Sequence, residues 1–148
     1  MAFRFALAPL LRLRQSIERQ RTLQLQDASL QVARTQQTLA QLEQFLTDSA
    51  QADAESLTAG RTAAELQFAA VLRENLHRFR EELHSQIRKL ELLRQQAMAA
   101  YHQAYREREV LETLRARQRR LYQQEQLRRQ QRELDAAYLL QRWHHHTP

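Results

Sequence analysis

Glu81 and His84 stand three residues apart, a spacing that sets a carboxylate and an imidazole on one face of a helix. In di-iron carboxylate bundles such a Glu-x-x-His pair occurs twice, with further glutamates on facing helices. This chain holds no second copy, so His84 reads as a surface residue, and His77, seven residues earlier, reads as solvated. His144, His145 and His146 could hold a metal only weakly and read as a frayed tail. Cysteine is absent, which removes thiolate nucleophiles, thiolate metal sites and disulfides together. One glycine, Gly60, cannot build a loop whose amides converge on phosphate, nor the tight elbow that presents a serine nucleophile. No enzyme, no cofactor and no metal site is expected. The chain should act by contact.

The elements that would carry such contacts follow from two residues. Pro9 is the only proline ahead of the last residue, and Gly60 is the only glycine. In a helix interior they cost about 3 and 1 kcal/mol respectively, so the stretches between them should be unbroken helix. Proline suits a first helical turn, and glycine suits the left-handed position past a helix end. The expectation is one all-α coiled-coil domain over 1–148, a long antiparallel two-helix hairpin. Helix one is predicted over about 9–57, a turn near 58–62, and a longer helix two over about 63–142.

Apolar spacing supplies the seam. Leu25, Ala28, Val32, Thr35, Leu39, Leu42, Leu46 and Ser49 alternate steps of three and four, the heptad signature. Ile17, Arg21 and Leu25 step by four and four, which predicts a stutter there. On helix two, Leu72, Leu76, Phe79, Leu83, Ile87, Leu90, Leu93, Ala97, Tyr101 and Ala104 continue the face. Leu39, Leu42 and Leu46 are expected to face Leu76, Phe79 and Leu83. Folding at Gly60 sets Leu10 opposite about residue 110. At 1.5 Å per residue the helices would be about 70 and 120 Å long, with roughly 30 residues of helix two overhanging. Leu111, Leu114, Leu121, Leu127, Leu134 and Tyr138 thin out there among arginine and glutamine. Such an overhang is marginal alone and calls for a partner.

Charge is polarised along this plan. Glu43, Asp48, Asp53, Glu55 and Glu65 oppose a single Arg61 near the turn, while the arginines cluster toward both termini. The net charge is +6, all but one of the 23 basic residues are arginine, and the sequence pI is near 10.6. Nucleic acid is not the expected partner, because these arginines alternate with glutamates at helical pairing distance and no stacking platform accompanies them. The mean hydropathy is −0.74, and no apolar run approaches the 20 or so residues that span a bilayer. The N-terminus makes a poor secretion signal, so a cytoplasmic protein is expected.

The opening residues Phe3-Arg4-Phe5-Ala6-Leu7-Ala8-Pro9-Leu10-Leu11-Arg12-Leu13-Arg14 resemble the start of the flagellar FliJ family. The closing Arg128-Arg129-Gln130-Gln131-Arg132-Glu133-Leu134-Asp135 resembles that family's basic, glutamine-rich end, and length and helical pattern agree. The resemblance implies a cytoplasmic component of the flagellar type III export apparatus, similar to the central γ stalk of rotary ATPases. It implies three partners: the hexameric export ATPase, the export-gate cytoplasmic linker, and export chaperones. Contact with the membrane would come through partners only. The family's gate-binding face reads Phe-x-x-x-Leu-x-x-Ala-x-x-x-His; Phe68 and Leu72 match it, whereas Asn75 and Phe79 stand where alanine and histidine would be. The ATPase would be met by Leu121, Leu127 and Leu134 with Arg128, Arg129 and Arg132. An injectisome stalk homologue, or a homodimeric structural coiled coil, is the alternative.

Overall fold

The computed structural model describes residues 2–146, and the described residues form two helices and no strand. Helix α1 spans Ala8–Leu57 and helix α2 spans Ala63–His144. Pro9 lies in the first turn of α1, where its missing N–H leaves no intrahelical bond unmade. After Leu57 the chain turns through Thr58 and Ala59 to Gly60, whose φ of +82° is the left-handed conformation that side chains resist. Helix α2 starts with a capping box. The Thr62 N–H donates to Glu65 Oε2 at 3.2 Å, and the Glu65 N–H donates back to Thr62 Oγ1 at 3.3 Å.

The chain divides into two compact units, one of residues Arg19–His102 and the other of the N-terminal residues through Glu18 with the chain from Gln103 onward. In the first unit the helix segments on either side of the turn pack antiparallel. Leu25, Val32, Leu39, Leu46 and Asp53 recur on α1 at seven-residue intervals, with Ala28, Thr35, Leu42, Ser49 and Ser56 between them, all buried or half-buried. Facing them on α2 are Ala69, Leu76, Leu83, Leu90 and Ala97, with a second row of Arg80, Ile87, Arg94 and Tyr101.

That second row corrects the expected seam. Phe79 does not face α1 squarely and keeps 44% of its surface exposed, and Leu72 and Leu93 are also exposed. Strict alternation of three and four from Leu83 selects positions 80, 87 and 94, which leaves Phe79 one residue round the helix. Arginine can fill such a place because its aliphatic stem covers the seam while the guanidinium reaches out, here to Glu43 at 3.4 Å from Arg80. The expected stutter is also displaced. Arg21 is exposed and Thr22 half-buried, so α1 keeps heptad spacing through Leu25; Ala28 and Ser29 are both half-buried, and the seam changes side there.

In the other unit, Phe5, Leu11 and Leu111 form a buried cluster with Phe3, Ala8 and Leu114 packed against it. Phe3 also lies 5.6 Å, ring to ring, from Tyr122. The N-terminal residues therefore cover α2 as far as Tyr122, and the uncovered part of α2 is shorter than the helix lengths alone suggested. Arg108 pairs with Glu18, Glu109 and Glu112 and stacks 5.0 Å from the Tyr105 ring centre, while Arg14 pairs with Glu107.

Two stability outcomes follow. Leu42 is only 8% exposed, so Leu42→Ala should cost about 2–3 kcal/mol, whereas Phe79→Ala should cost less than about 1 kcal/mol. Thermal melts of the two variants read that order directly. A Cβ at Gly60 would meet nothing within 4 Å, so Gly60→Ala should cost only the conformational strain of about 1 kcal/mol.

Candidate functional site

Around the turn, one carboxylate organises the local structure. Asp53 accepts from Arg61 at 2.8 Å and pairs through its other oxygen with Arg73. The Arg61 hydrogen bond holds the Asp53 carboxyl below its ordinary pKa, against the opposing effect of burial, and Arg73 lowers it further. This clamp ties the end of α1 to the turn and to Arg73, about three turns into α2. An open groove of about 630 Å³ lies beside it. Leu46, Ser49 and Asp53 of α1 line one wall, and Ala64, Glu65, Phe68, Ala69, Leu72 and Leu76 of α2 line the other.

Both gate-binding residues expected from the sequence lie in this groove. Phe68 is 72% exposed and Leu72 about half as much, an arrangement unlike that of residues filling a seam. Asn75 is exposed, and Phe79 stands two helical turns beyond Leu72. A second groove, lined by Glu43, Leu46, Thr47, Ala50, Arg73, His77 and Arg80, shares Leu46 and Arg73 with the first. Its charges are matched locally: Glu43 meets Arg80, and His84 Nε2 lies 4.0 Å from the same carboxylate. Among the described residues no group of three or more His, Asp or Glu side chains is placed to hold a metal.

The remaining expected site residues lie on the C-terminal run of α2. All six of Leu121, Leu127, Arg128, Arg129, Arg132 and Leu134 are exposed. The three leucines do not form one stripe. Leu127 and Leu134 share a face, with Tyr138 beside them, while Leu121 is about 120° away, on the face that carries Arg128. Arg129 Nε donates to Glu125 at 3.3 Å, and Gln131 donates to Asp135 at 3.0 Å, so this stretch supports its own helix through side-chain pairs one turn apart. Leu127, Leu134 and Tyr138 thus lie opposite Arg128, Arg129 and Arg132, while Leu139, Leu140 and Trp143, also exposed, fall on or beside the arginine face. No helix of the described residues is long and apolar enough to cross a membrane.

Sequence reasoning passed over two features. Phe3 and Phe5 carry no packing role in the heptad seam, yet they build the core beside Leu11. Their spacing of two, with Arg4 between, is the signal of an extended segment with one face inward. Arg80, Arg94 and Arg108 have no place in the expected seam, although their intervals of fourteen residues keep them in register with Leu83, Ala97 and Leu111.

Removing the clamp should reveal its charge. A carboxyl with a depressed pKa contributes stability above its ordinary value of about 3.9 and loses that contribution as pH falls below it. Asp53→Asn should therefore melt lower than the parent at pH 7, with the gap narrowing as pH falls below the ordinary carboxyl value and closing once it passes the lowered pKa of Asp53.

A family model described as the flagellar FliJ protein matches residues 3–147, nearly the whole chain. Searches among curated proteins and among solved structures give no match.

Proposed function

Since the chain belongs to the flagellar FliJ family, a component of the flagellar protein-export apparatus, we propose that it works as the apparatus's γ-stalk-like coiled coil. In this reading it inserts in the hexameric export ATPase, promotes the ring's assembly and activity, and couples it to the export gate. It is a structural component of the apparatus, acts at the cytoplasmic face of the inner membrane, and reaches the membrane only through its partners. Export chaperones are further partners.

The observation that carries the proposal is the C-terminal run of α2. Residues 123–144 continue as helix beyond the reach of the N-terminal segment, with Leu127 and Leu134 exposed opposite a row of arginines. An isolated helix of this kind is marginal in water, and a partner that covers the leucines and meets the arginines would stabilise it. A ring pore with acidic residues supplies both. Leu121, on the arginine face, would then touch a different part of the pore wall from Leu127. The groove at the turn is the proposed seat of the gate linker, with Phe68 and Leu72 as its anchors.

Mixing the chain with its export ATPase and recording hydrolysis tests the stalk reading. Replacing Arg128, Arg129 and Arg132 by glutamine should reduce the stimulation several-fold at low salt and leave the melting of the rest of the chain unchanged. Added salt should weaken the parent toward the variant, since exposed charges are screened beyond about 8 Å at physiological ionic strength. Equal stimulation by parent and variant at low salt would refute the basic contact. Phe68→Ala should weaken binding of the gate linker about 30-fold, the size of a 2 kcal/mol anchor, with helicity intact.

A further inference from the structure

We propose that the turn-end groove is a three-phenylalanine cradle that draws on both helices and takes a cationic amphipathic helix. This rests on the gate reading of the groove and specifies what the groove recognises. Phe68 lines the groove, and Phe45 and Phe79 lie just beyond its lining, so the cradle would bring three of the chain's five phenylalanines to one surface.

Placement follows from helical spacing. Ser49 lines the groove from α1, and Phe45, four residues earlier, lies on the same face of that helix. Leu72 and Leu76 line it from α2, and Phe79 stands seven residues after the first and three after the second. Neither Phe45 nor Phe79 lines the second groove. The Glu43–Arg80 pair sets the two helices in register, and so puts Phe45 and Phe79 at one level. Phe45 is 53% exposed and Phe79 44%, a large apolar area to leave in water.

The occupant is set by spacing and charge. From Phe68 through Leu72 to Phe79 the apolar positions step by four and seven, spanning about 16 Å of helix. A partner helix with apolar residues at i, i+4 and i+11 matches that row and, lying against Phe45 too, would touch both α1 and α2. The charged neighbours one turn from these anchors are Asp48 beside Phe45, Glu65 beside Phe68 and Glu82 beside Phe79. Arg78 is paired with Glu74 and Arg80 with Glu43, and Arg61 and Arg73 share Asp53, which leaves one of their charges unmatched against the three of Asp48, Glu65 and Glu82. The rim is thus acidic, and the complementary helix is basic along its flanks.

The test titrates a fluorescein-labelled synthetic peptide of the export-gate linker with the full chain. Circular dichroism and melting of each variant serve as controls for fold. Phe45→Ala and Phe79→Ala should each weaken binding about tenfold, and Glu82→Lys, off the seam, should weaken it and flatten its salt dependence. If Phe68→Ala weakens binding while Phe45→Ala and Phe79→Ala bind like the parent, the two-helix cradle is overturned and the gate reading survives. Should none of the three phenylalanine variants matter, both readings fall. Unchanged affinity and salt slope in Glu82→Lys would refute a cationic occupant. A parent chain that sediments as a dimer, ignores the peptide and becomes monomeric on Phe45→Ala would assign the cradle to a second copy, against the proposal.

Discussion

The described residues form two helices and no third layer, so every seam residue has a single opposing surface. Not one described side chain is fully buried, and the seam cannot exclude water as a deep core does. Charged groups are tolerated in such a seam, provided that each meets its opposite. Asp53 meets Arg61 and Arg73, Glu43 meets Arg80, and Glu18 meets Arg108. Burial works to lower the Arg108 pKa, but Glu18, Glu112 and Glu109 overcome it and hold the guanidinium firmly charged. Exposed pairs contribute little to stability, at most about 1 kcal/mol each. Their effect is on alignment. Leucine against leucine accepts a slide by a heptad, whereas a carboxylate drawn away from its arginine is left with an unmatched charge.

The same thinness explains why contact surfaces are available. A third helix would cover the flanks of the seam; in its absence Phe45, Phe68, Leu72 and Phe79 remain exposed on one side. The Asp53 clamp and the Thr62–Glu65 capping box fix the backbone beside them. Apolar side chains on a braced backbone give up little freedom when a partner arrives, so more of the contact energy appears as affinity. In the proposed function the binding surfaces are thus exposed leftovers of the fold, not clefts enclosed by it.

Much of this was legible in the residues. Two helix breakers located both helix starts and the turn, because proline and glycine act locally and no tertiary contact overrides a left-handed φ. The seam of α1 was legible because its apolar residues keep heptad spacing. Helix α2 was harder. Phe79 and Leu93 are more apolar than Arg80 and Arg94, and hydropathy alone cannot see that a long arginine stem fills a shallow seam while its charge finds Glu43 or Glu91. Phe3 and Phe5 were missed for another reason: their partners Leu11, Leu111 and Tyr122 include residues more than a hundred positions away. Phe68 and Leu72 could be placed by motif, but their groove depends on Ser49 and Asp53 from the other helix.

The Arg14–Glu107 and Gln15–Glu112 contacts join residues 93 and 97 positions apart. On a ribosome, then, α1 is complete long before the residues that close it exist. Translation at about 5–20 residues per second leaves roughly 3–10 seconds between the emergence of Gly60 and that of Leu111. During that interval Phe5 and Leu11 face water on a nascent chain. Closure can begin at the turn, where Asp53 and Arg61 are only 8 positions apart, and must travel outward as α2 is made. The N-terminal phenylalanines, first to be synthesised, are among the last to be satisfied.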